Sequence, residues 1–152
     1  MLGMVSSPYQ GIYAASKHAL EGAFSALRME VRAQNIDVVL IEPGWISTHF
    51  LKPAMAHAPT KWLENPVYGS SLRNYFAMTK DAETENPTGA AKIAAALAGT
   101  PQEVAAAVMR ALESKTPKAR YPVTAMATWM PRLARIMPTR LWDKMQTRDF
   151  AP

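Results

Sequence analysis

The chain has 152 residues, of which 49% are hydrophobic and 19% charged, a composition typical of a single globular domain and not of a disordered segment. It contains no cysteine, which excludes disulfide bonds and thiolate metal sites. The formal net charge is +5, and residues 110–148 hold nine basic residues against two acidic ones. Residues 1–10 lack the basic start and apolar core of a signal peptide, and no apolar run approaches the roughly 18 residues of a membrane span.

A long helix is predicted over residues 13–34, which are rich in good helix formers. Its larger apolar side chains recur at the spacing of a buried helical stripe: Leu20, Phe24, Leu27 and Val31. The pair Gln34-Asn35 predicts the end of this helix, because asparagine tolerates the left-handed conformation that ends helices. Residues 37–41 then form a continuous apolar run with β-branched side chains, which predicts a strand buried on both faces.

Prolines divide the following fifty residues into short pieces, with helices predicted near residues 65–79 and 88–98. The sequence Thr100-Pro101-Gln102-Glu103 has the pattern of a capping box with proline at the first helical position, which predicts a helix that starts there and runs to about Ser114. A strand, a capped helix and a second strand in this order indicate a parallel α/β sheet.

That second strand is predicted at residues 120–124, and its proline favours the edge of a sheet. Residues 126–145 have the pattern of an amphipathic helix, interrupted by Pro131 and Pro138.

Tyr13 and Lys17 carry the clearest chemical signal. Residues four apart lie on one face of a helix, and a lysine ammonium beside a phenol favours the ionised phenol that proton transfer requires. With 5 tyrosines and 8 lysines in the chain, chance alone gives roughly 0.26 such pairs, so the spacing by itself favours two exposed side chains on a helix surface over a catalytic pair.

The residues around this pair resemble the short-chain dehydrogenase/reductase family. The similarity runs through Tyr-Ala-Ala-Ser-Lys-His-Ala-Leu-Glu-Gly from Tyr13, and through Ile-Asp-Val-Val-Leu-Ile-Glu-Pro-Gly-Trp-Ile-Ser-Thr up to Thr48. Residues 118–123 and the basic helix with Leu133 and Pro138 are similar to the retinol and 17β-hydroxysteroid dehydrogenase subgroup.

The resemblance implies a role for each matching residue. Tyr13 would be the general acid/base, and Lys17 would hydrogen-bond the nicotinamide ribose and favour the ionised form of Tyr13. Both would touch the cofactor, NAD or NADP, and the turn after the strand would line its nicotinamide side through Pro43, Gly44, Ile46 and Thr48. The alternative for this turn is an ordinary end of a strand. Ser16 is expected to pack or cap rather than to act as a nucleophile.

Other parts of the family pattern do not occur in these 152 residues. The catalytic serine would fall just before Met1, Ser6 and Ser7 are too close to Tyr13 to replace it, and the glycine-rich turn that cradles the pyrophosphate is absent. The expected fold is therefore the C-terminal half of a Rossmann-like, doubly wound parallel sheet in three αβα layers, with the N-terminal half missing. Such a half-sheet is expected to fold poorly or self-associate, and to lack turnover alone.

The chain divides into residues 1–48 with the catalytic helix, strand and turn, residues 49–99 as a substrate loop region, and residues 100–152 with the C-terminal elements. Aromatic and apolar side chains in and before the loop region could line a substrate pocket or simply form core: Trp45, Trp62, Tyr68, Tyr75, Phe76 and Met78. The histidines lack metal-ligand spacing and no metal site is expected: His18, His49 and His57.

The resemblance implies an oxidoreductase that interconverts an apolar alcohol and a ketone or aldehyde, in the cytoplasm and as a homo-oligomer when full length. The alternative is an inactive fragment that serves only as an association module. The basic C-terminal residues are more often simply a solvated helix face, but the segment from Trp129 to Ile136 also suits peripheral contact with a membrane surface. No nucleic-acid partner is expected.

Overall fold

The computed structural model describes residues 1–48, 51–84 and 86–148. Within these ranges the chain forms eight α-helices and two short strands. In chain order they are α1 (Gly11–Glu30), β1 (Leu40–Glu42), α2 (Leu51–Ala56), α3 (Thr60–Leu63), α4 (Gly69–Asp81), α5 (Gly89–Ala96), α6 (Pro101–Glu113), β2 (Arg120–Pro122), α7 (Ala125–Ile136) and α8 (Thr139–Thr147). None of the helices in these ranges is long and apolar enough to cross a bilayer.

The α1 helix ends at Glu30, four residues before the predicted end, and only the turn that follows it reaches Asn35, the predicted stop. A 3₁₀ turn over Arg32–Gln34 follows it, and Asn35 then adopts the left-handed conformation with φ 56°. The predicted buried stripe is wrong, however. Ala14 is buried, but Leu20, Phe24 and Leu27 are 36–43% exposed, because the sheet beside α1 consists of two three-residue strands and offers little apolar cover.

The two strands pair in parallel, with Leu40 opposite Arg120 and Glu42 opposite Pro122. The first strand begins three residues later than predicted, because its pairing starts where the Leu40 amide donates to the Ala119 carbonyl at 2.9 Å. It is also not buried on both faces, since Leu40 and Ile41 are half-buried and only Glu42 is buried. A mostly helical α/β chain with a small parallel sheet fits a Rossmann-like fold.

The predicted start of α6 is confirmed. The Thr100 hydroxyl accepts from the Glu103 amide at 3.3 Å, and the Glu103 carboxylate accepts from the Thr100 amide at 2.6 Å, with Pro101 at the first helical position. This reciprocal pair satisfies two amides that a helix start otherwise leaves without partners.

The C-terminal part forms two helices. Pro131 lies inside α7 without interrupting it, contrary to the prediction, whereas Pro138 does separate α7 from α8. Thr124 caps α7 by accepting from the Ala127 amide at 3.1 Å. Since the ring of Pro131 takes the place of one amide donor, this helix lacks one backbone hydrogen bond near its middle.

The region predicted as a substrate loop is largely helical. Helices expected near residues 65–79 and 88–98 are found as α4 and α5, and α2 and α3 precede them. The link between α4 and α5 is held by Asp81, whose Oδ2 accepts from the amide and the hydroxyl of Thr88, each at 2.9 Å. These hydrogen bonds, with one from Thr84, lower the pKa of the Asp81 carboxyl.

Candidate active site

Tyr13 and Lys17 lie together on α1. The Nζ atom of Lys17 is 5.2 Å from the centre of the Tyr13 ring, within the range of a cation–π contact. Tyr13 is 43% exposed, so its side chain can be reached from outside the fold. The neighbouring hydroxyl of Ser16 donates to the Tyr13 carbonyl at 2.7 Å, a bond within the helix of the kind expected for a packing residue.

The turn after β1 is held by Gly99 of the α5–α6 connection. Ile46 and Gly99 form a parallel bridge, in which the Ser47 amide donates to the Gly99 carbonyl at 2.9 Å and the Gly99 amide donates to the Trp45 carbonyl at 2.8 Å. Pro43, Gly44 and Ile46 are half-buried, whereas Thr48 is exposed. Backbone pairing therefore fixes the middle of the turn and leaves the hydroxyl at its end accessible.

Two glycines of this region approach Thr124, the residue that caps α7. A Cβ atom on Gly44 would collide with the Thr124 hydroxyl and lie 3.3 Å from the Ala127 amide nitrogen. A Cβ on Gly99 would lie 2.7 Å from the Cγ2 atom of Thr124. Glycine is needed at both positions because the start of α7 occupies the space that a side chain would fill.

The N-terminal segment lies between the two parts of the predicted site. The amino group of Met1 donates to the Pro43 carbonyl at 2.8 Å, and a Cβ on Gly3 would lie 3.0 Å from the Lys17 carbonyl. Burial lowers the pKa of the Met1 amino group, against the opposing carboxylates of Glu42 and Glu21. The structure thus places Lys17 and Pro43 on either side of one short segment.

Arg120 joins α1 to both strands. Its Nη2 and Nε atoms donate to Oε2 of Glu21 at 3.2 Å, and Nη2 also donates to the Ser25 hydroxyl at 2.9 Å. Its Nε is 3.0 Å from Oε1 of Glu42, yet this oxygen accepts no hydrogen bond from the described residues, since the Nε–H is directed at Glu21. Burial raises the pKa of the Glu42 carboxyl, and the charge of Glu21 raises it further.

Sequence reasoning missed this cluster. Glu21 lies one helical turn beyond Lys17, and Glu42 directly precedes Pro43, so the cluster joins the two predicted halves of the site. Arg120 and Glu21 are 99 residues apart, so no periodic pattern in the sequence links them. Only the charge of a glutamate inside an apolar strand could have marked Glu42 as a residue that needs a partner.

The segment before α1 contacts α4. The Gln10 side-chain amide donates to the Tyr75 hydroxyl at 2.5 Å, and the rings of Tyr9 and Tyr75 are 5.6 Å apart. Burial raises the pKa of Tyr75. Tyr75 is therefore part of the core, whereas Trp62 and Tyr68 are more than half exposed. Tyr9 and Gln10, which sequence reasoning missed, bring α4 next to the residues that precede Tyr13.

The histidines within the described ranges bond to their own helices or turns. The Nδ1 atom of His18 is 2.8 Å from the Ala14 carbonyl, and that of His57 is 2.7 Å from the Pro53 carbonyl. His49 lies outside the described residues. Among those residues, no group of three histidine or acidic side chains is arranged to hold a metal ion.

Comparison with known proteins gives the family. Residues 1–59 match the family model of short chain dehydrogenases. The chain is also 37% identical over 145 residues to the uncharacterized oxidoreductase YbbO of Escherichia coli (strain K12), covering 95% of this chain and 45% of the relative. The chain belongs to the short-chain dehydrogenase/reductase family.

Two further members of the family are similar. The NADPH-dependent 3-dehydrocapnine reductase of Ornithobacterium rhinotracheale is 33% identical over 149 residues, covering 97% of this chain and 47% of the relative. Dehydrogenase/reductase SDR family member 7B of Bos taurus is 40% identical over 60 residues, covering 40% of this chain and 18% of the relative. The chain thus spans slightly less than half the length of the two bacterial relatives.

Proposed function

We propose that these residues supply the proton-handling part of an NAD(P)-dependent oxidoreductase that interconverts an alcohol and a ketone or aldehyde. The observation that carries this proposal is the 5.2 Å approach of the Lys17 ammonium to the Tyr13 ring on an accessible face of α1. The names of the two bacterial relatives, an oxidoreductase and a reductase, support the same class of reaction.

The donors around Tyr13 and Lys17 fit a nicotinamide nucleotide. An ammonium suits the ribose hydroxyls, and the exposed Thr48 hydroxyl and the backbone at Ile46 suit the carboxamide, beside the apolar turn of Pro43 and Gly44. The bound nucleotide supplies the hydride chemistry. Tyr13 then holds the proton that moves to or from the substrate oxygen, with the Lys17 ammonium beside its ring.

Several further properties belong to this proposal. We propose a doubly wound, three-layered sheet in the whole protein, with residues 49–99 as its substrate region, a cytoplasmic location and a homo-oligomeric state. The name of the Ornithobacterium relative supports NADPH as the first cofactor to test. The exposed ring of Tyr9, which packs against the buried Tyr75 just before α1, supports an apolar substrate.

A chimera offers a direct test, because the chain spans less than half of its relatives. The matched region of the NADPH-dependent 3-dehydrocapnine reductase would be replaced by this chain, and NADPH oxidation would be followed with the substrate of the parent enzyme. We expect Tyr13→Phe to lower kcat at least about 100-fold, because general acid catalysis contributes about 10²–10⁴-fold. NADPH affinity, measured by fluorescence titration, should change less than about twofold.

Tyr121→Phe is the matched control, since it removes a hydroxyl from a half-buried tyrosine on β2, outside both α1 and the proposed substrate region. Undiminished turnover in Tyr13→Phe would reject the assignment of Tyr13. A folded chimera that binds NADPH but shows no turnover before any substitution would favour the alternative of an inactive association module, which the exposed apolar side chains of α1 support.

A further inference from the structure

The helices α7 and α8 expose large apolar side chains beside basic ones, a combination that the proposed redox chemistry does not use. Trp129 is 65% exposed, Ile136 80%, Leu141 54% and Met145 40%. The exposed basic residues of the same two helices are Arg132, Arg135, Arg140 and Lys144, and Arg148 follows them. We refer to these nine residues as the C-terminal basic face.

On α7 the two kinds of side chain share one stripe. Trp129, Arg132 and Ile136 stand at positions i, i+3 and i+7, which lie above one another on a helix. The guanidinium of Arg132 is 5.1 Å from the centre of the Trp129 ring. The opposite side of α7 is buried through Ala127 and Pro131, so the helix is anchored to the fold by one side and presents the other outward.

The α8 helix repeats this arrangement. Leu141 and Met145 stand four residues apart and are exposed, and Lys144 lies between them in the sequence. Large apolar side chains exposed in such a row are unfavourable in water and become favourable when an apolar medium covers them.

The charge of this part of the chain is strongly positive. Residues 115–148 contain eight basic residues and one acidic residue, Asp143, a formal charge of +7 against +5 for the whole chain. A basic helix with exposed tryptophan, isoleucine and leucine has the chemistry of a helix that lies in a lipid interface, where cations meet headgroups and apolar side chains enter the acyl boundary.

We propose that the C-terminal basic face docks on an anionic lipid surface. A nucleic acid would neutralise the cations but would leave Trp129 and Ile136 in water, and a second copy meeting through the same face would bring like charges together. An anionic bilayer covers both the charges and the apolar side chains.

Vesicle flotation of the 152-residue chain tests this docking. Vesicles of phosphatidylcholine with about 30% phosphatidylserine should capture the chain at about 0.1 M salt, and pure phosphatidylcholine vesicles or about 1 M salt should not, because the screening length falls to about 3 Å. Arg132→Gln with Arg135→Gln should weaken partitioning about 25-fold, since each basic residue near an anionic surface contributes about fivefold. Trp129→Ser with Ile136→Ser should weaken it about tenfold or more.

Lys61→Gln with Lys92→Gln is the matched control, because it removes two exposed charges from α3 and α5 and should leave partitioning within about twofold. Far-UV circular dichroism checks that each variant keeps its helices. Absence of capture at low salt, equal losses in the control variant, or tight binding to a duplex oligonucleotide in preference to vesicles would each overturn the proposal. None of these outcomes depends on whether Tyr13 is catalytic.

Discussion

The guanidinium of Arg120 on β2 donates two hydrogen bonds to Oε2 of Glu21 in the middle of α1, each at 3.2 Å. Its Nε also lies 3.0 Å from Glu42, a carboxylate only 5% exposed at the end of β1. One side chain therefore fixes the helix of Tyr13 and Lys17 against the strand that leads into the Pro43-Gly44 turn. Its removal would leave a buried carboxylate without its counter-charge.

We expect Arg120→Ala to lower the free energy of unfolding by about 1–2 kcal/mol. Loss of a partner from a fully buried pair costs about 3–5 kcal/mol, and the exposure of the Arg120 side chain reduces this cost through solvent screening. Chemical denaturation at neutral pH measures the change. Lys118→Ala removes a charge two residues away and should cost less than about 0.5 kcal/mol. Equal effects of the two substitutions would contradict the role of Arg120.

Glu42 gives a prediction about pH. Burial raises the pKa of its carboxyl above the usual 4.5, so the folded chain holds this proton more firmly than the unfolded chain does. The contribution of Glu42 to the free energy of unfolding is therefore largest below pH 4.5 and declines as the pH rises through the raised pKa. In Glu42→Gln this decline should disappear, so that the variant gains stability relative to the parent as the pH rises from 4.5 through the raised pKa.

Asp81 is expected to show the opposite dependence of stability on pH, for comparison with Glu42. Its hydrogen bonds from Thr88 lower the pKa of its carboxyl, so its contribution is present at neutral pH and is lost as the pH falls through that lowered pKa. Asp81→Asn should therefore lose stability relative to the parent at neutral pH and approach it in acid. If denaturation curves gave both variants the same dependence of stability on pH, the burial of Glu42 would not be the cause of the decline in stability of the parent.

Gly44→Ala tests the fit of the turn against α7. The added methyl group would meet the Thr124 hydroxyl that caps the helix, so we expect a loss of about 1–3 kcal/mol, measured by thermal or chemical unfolding. Adding Thr124→Ala should cost less in this background than in the parent, because the collision has then been relieved. Gly22→Ala, with open space around it on α1, should stabilise the chain by about 0.5–1 kcal/mol.

The exposed apolar side chains of α1 predict association of the chain with itself. Ile12 is 90% and Met29 65% exposed, in addition to Leu20, Phe24 and Leu27. Phe24→Ser with Leu27→Ser should lower the average mass measured by light scattering at equal concentration. Val67→Ser changes a residue that is 70% exposed outside α1 and should have no such effect. A parent chain that stays monomeric across the concentration range would contradict this prediction.

Features fixed by neighbouring residues could be predicted from the sequence. The capping box at Thr100 and the left-handed Asn35 each depend on a few adjacent residues, and the structure has both. The same holds for the approach of Lys17 to Tyr13, which needs only the helical spacing.

Features fixed by distant partners could not be predicted from the sequence. β1 begins at Leu40 because Ala119 supplies the first pairing carbonyl. The apolar run in the sequence starts at residue 37, so hydropathy alone predicted a start that is too early. The exposure of Leu20 and Phe24 depends on how much sheet lies beside α1, and the Arg120 cluster joins residues 99 positions apart. The ring of Pro131 fits inside α7, a tolerance that the residue type alone argues against.

Thr124 touches both glycines that shape the neighbourhood of the proposed nicotinamide turn, and it also begins the helix that carries Trp129 and Arg132. A tilt of α7 would therefore change the contacts of Thr124 with Gly44 and Gly99. If α7 docks on a bilayer and this turn holds the nucleotide, as proposed above, docking would shift the turn, and the affinity for the nucleotide would then depend on the lipid composition.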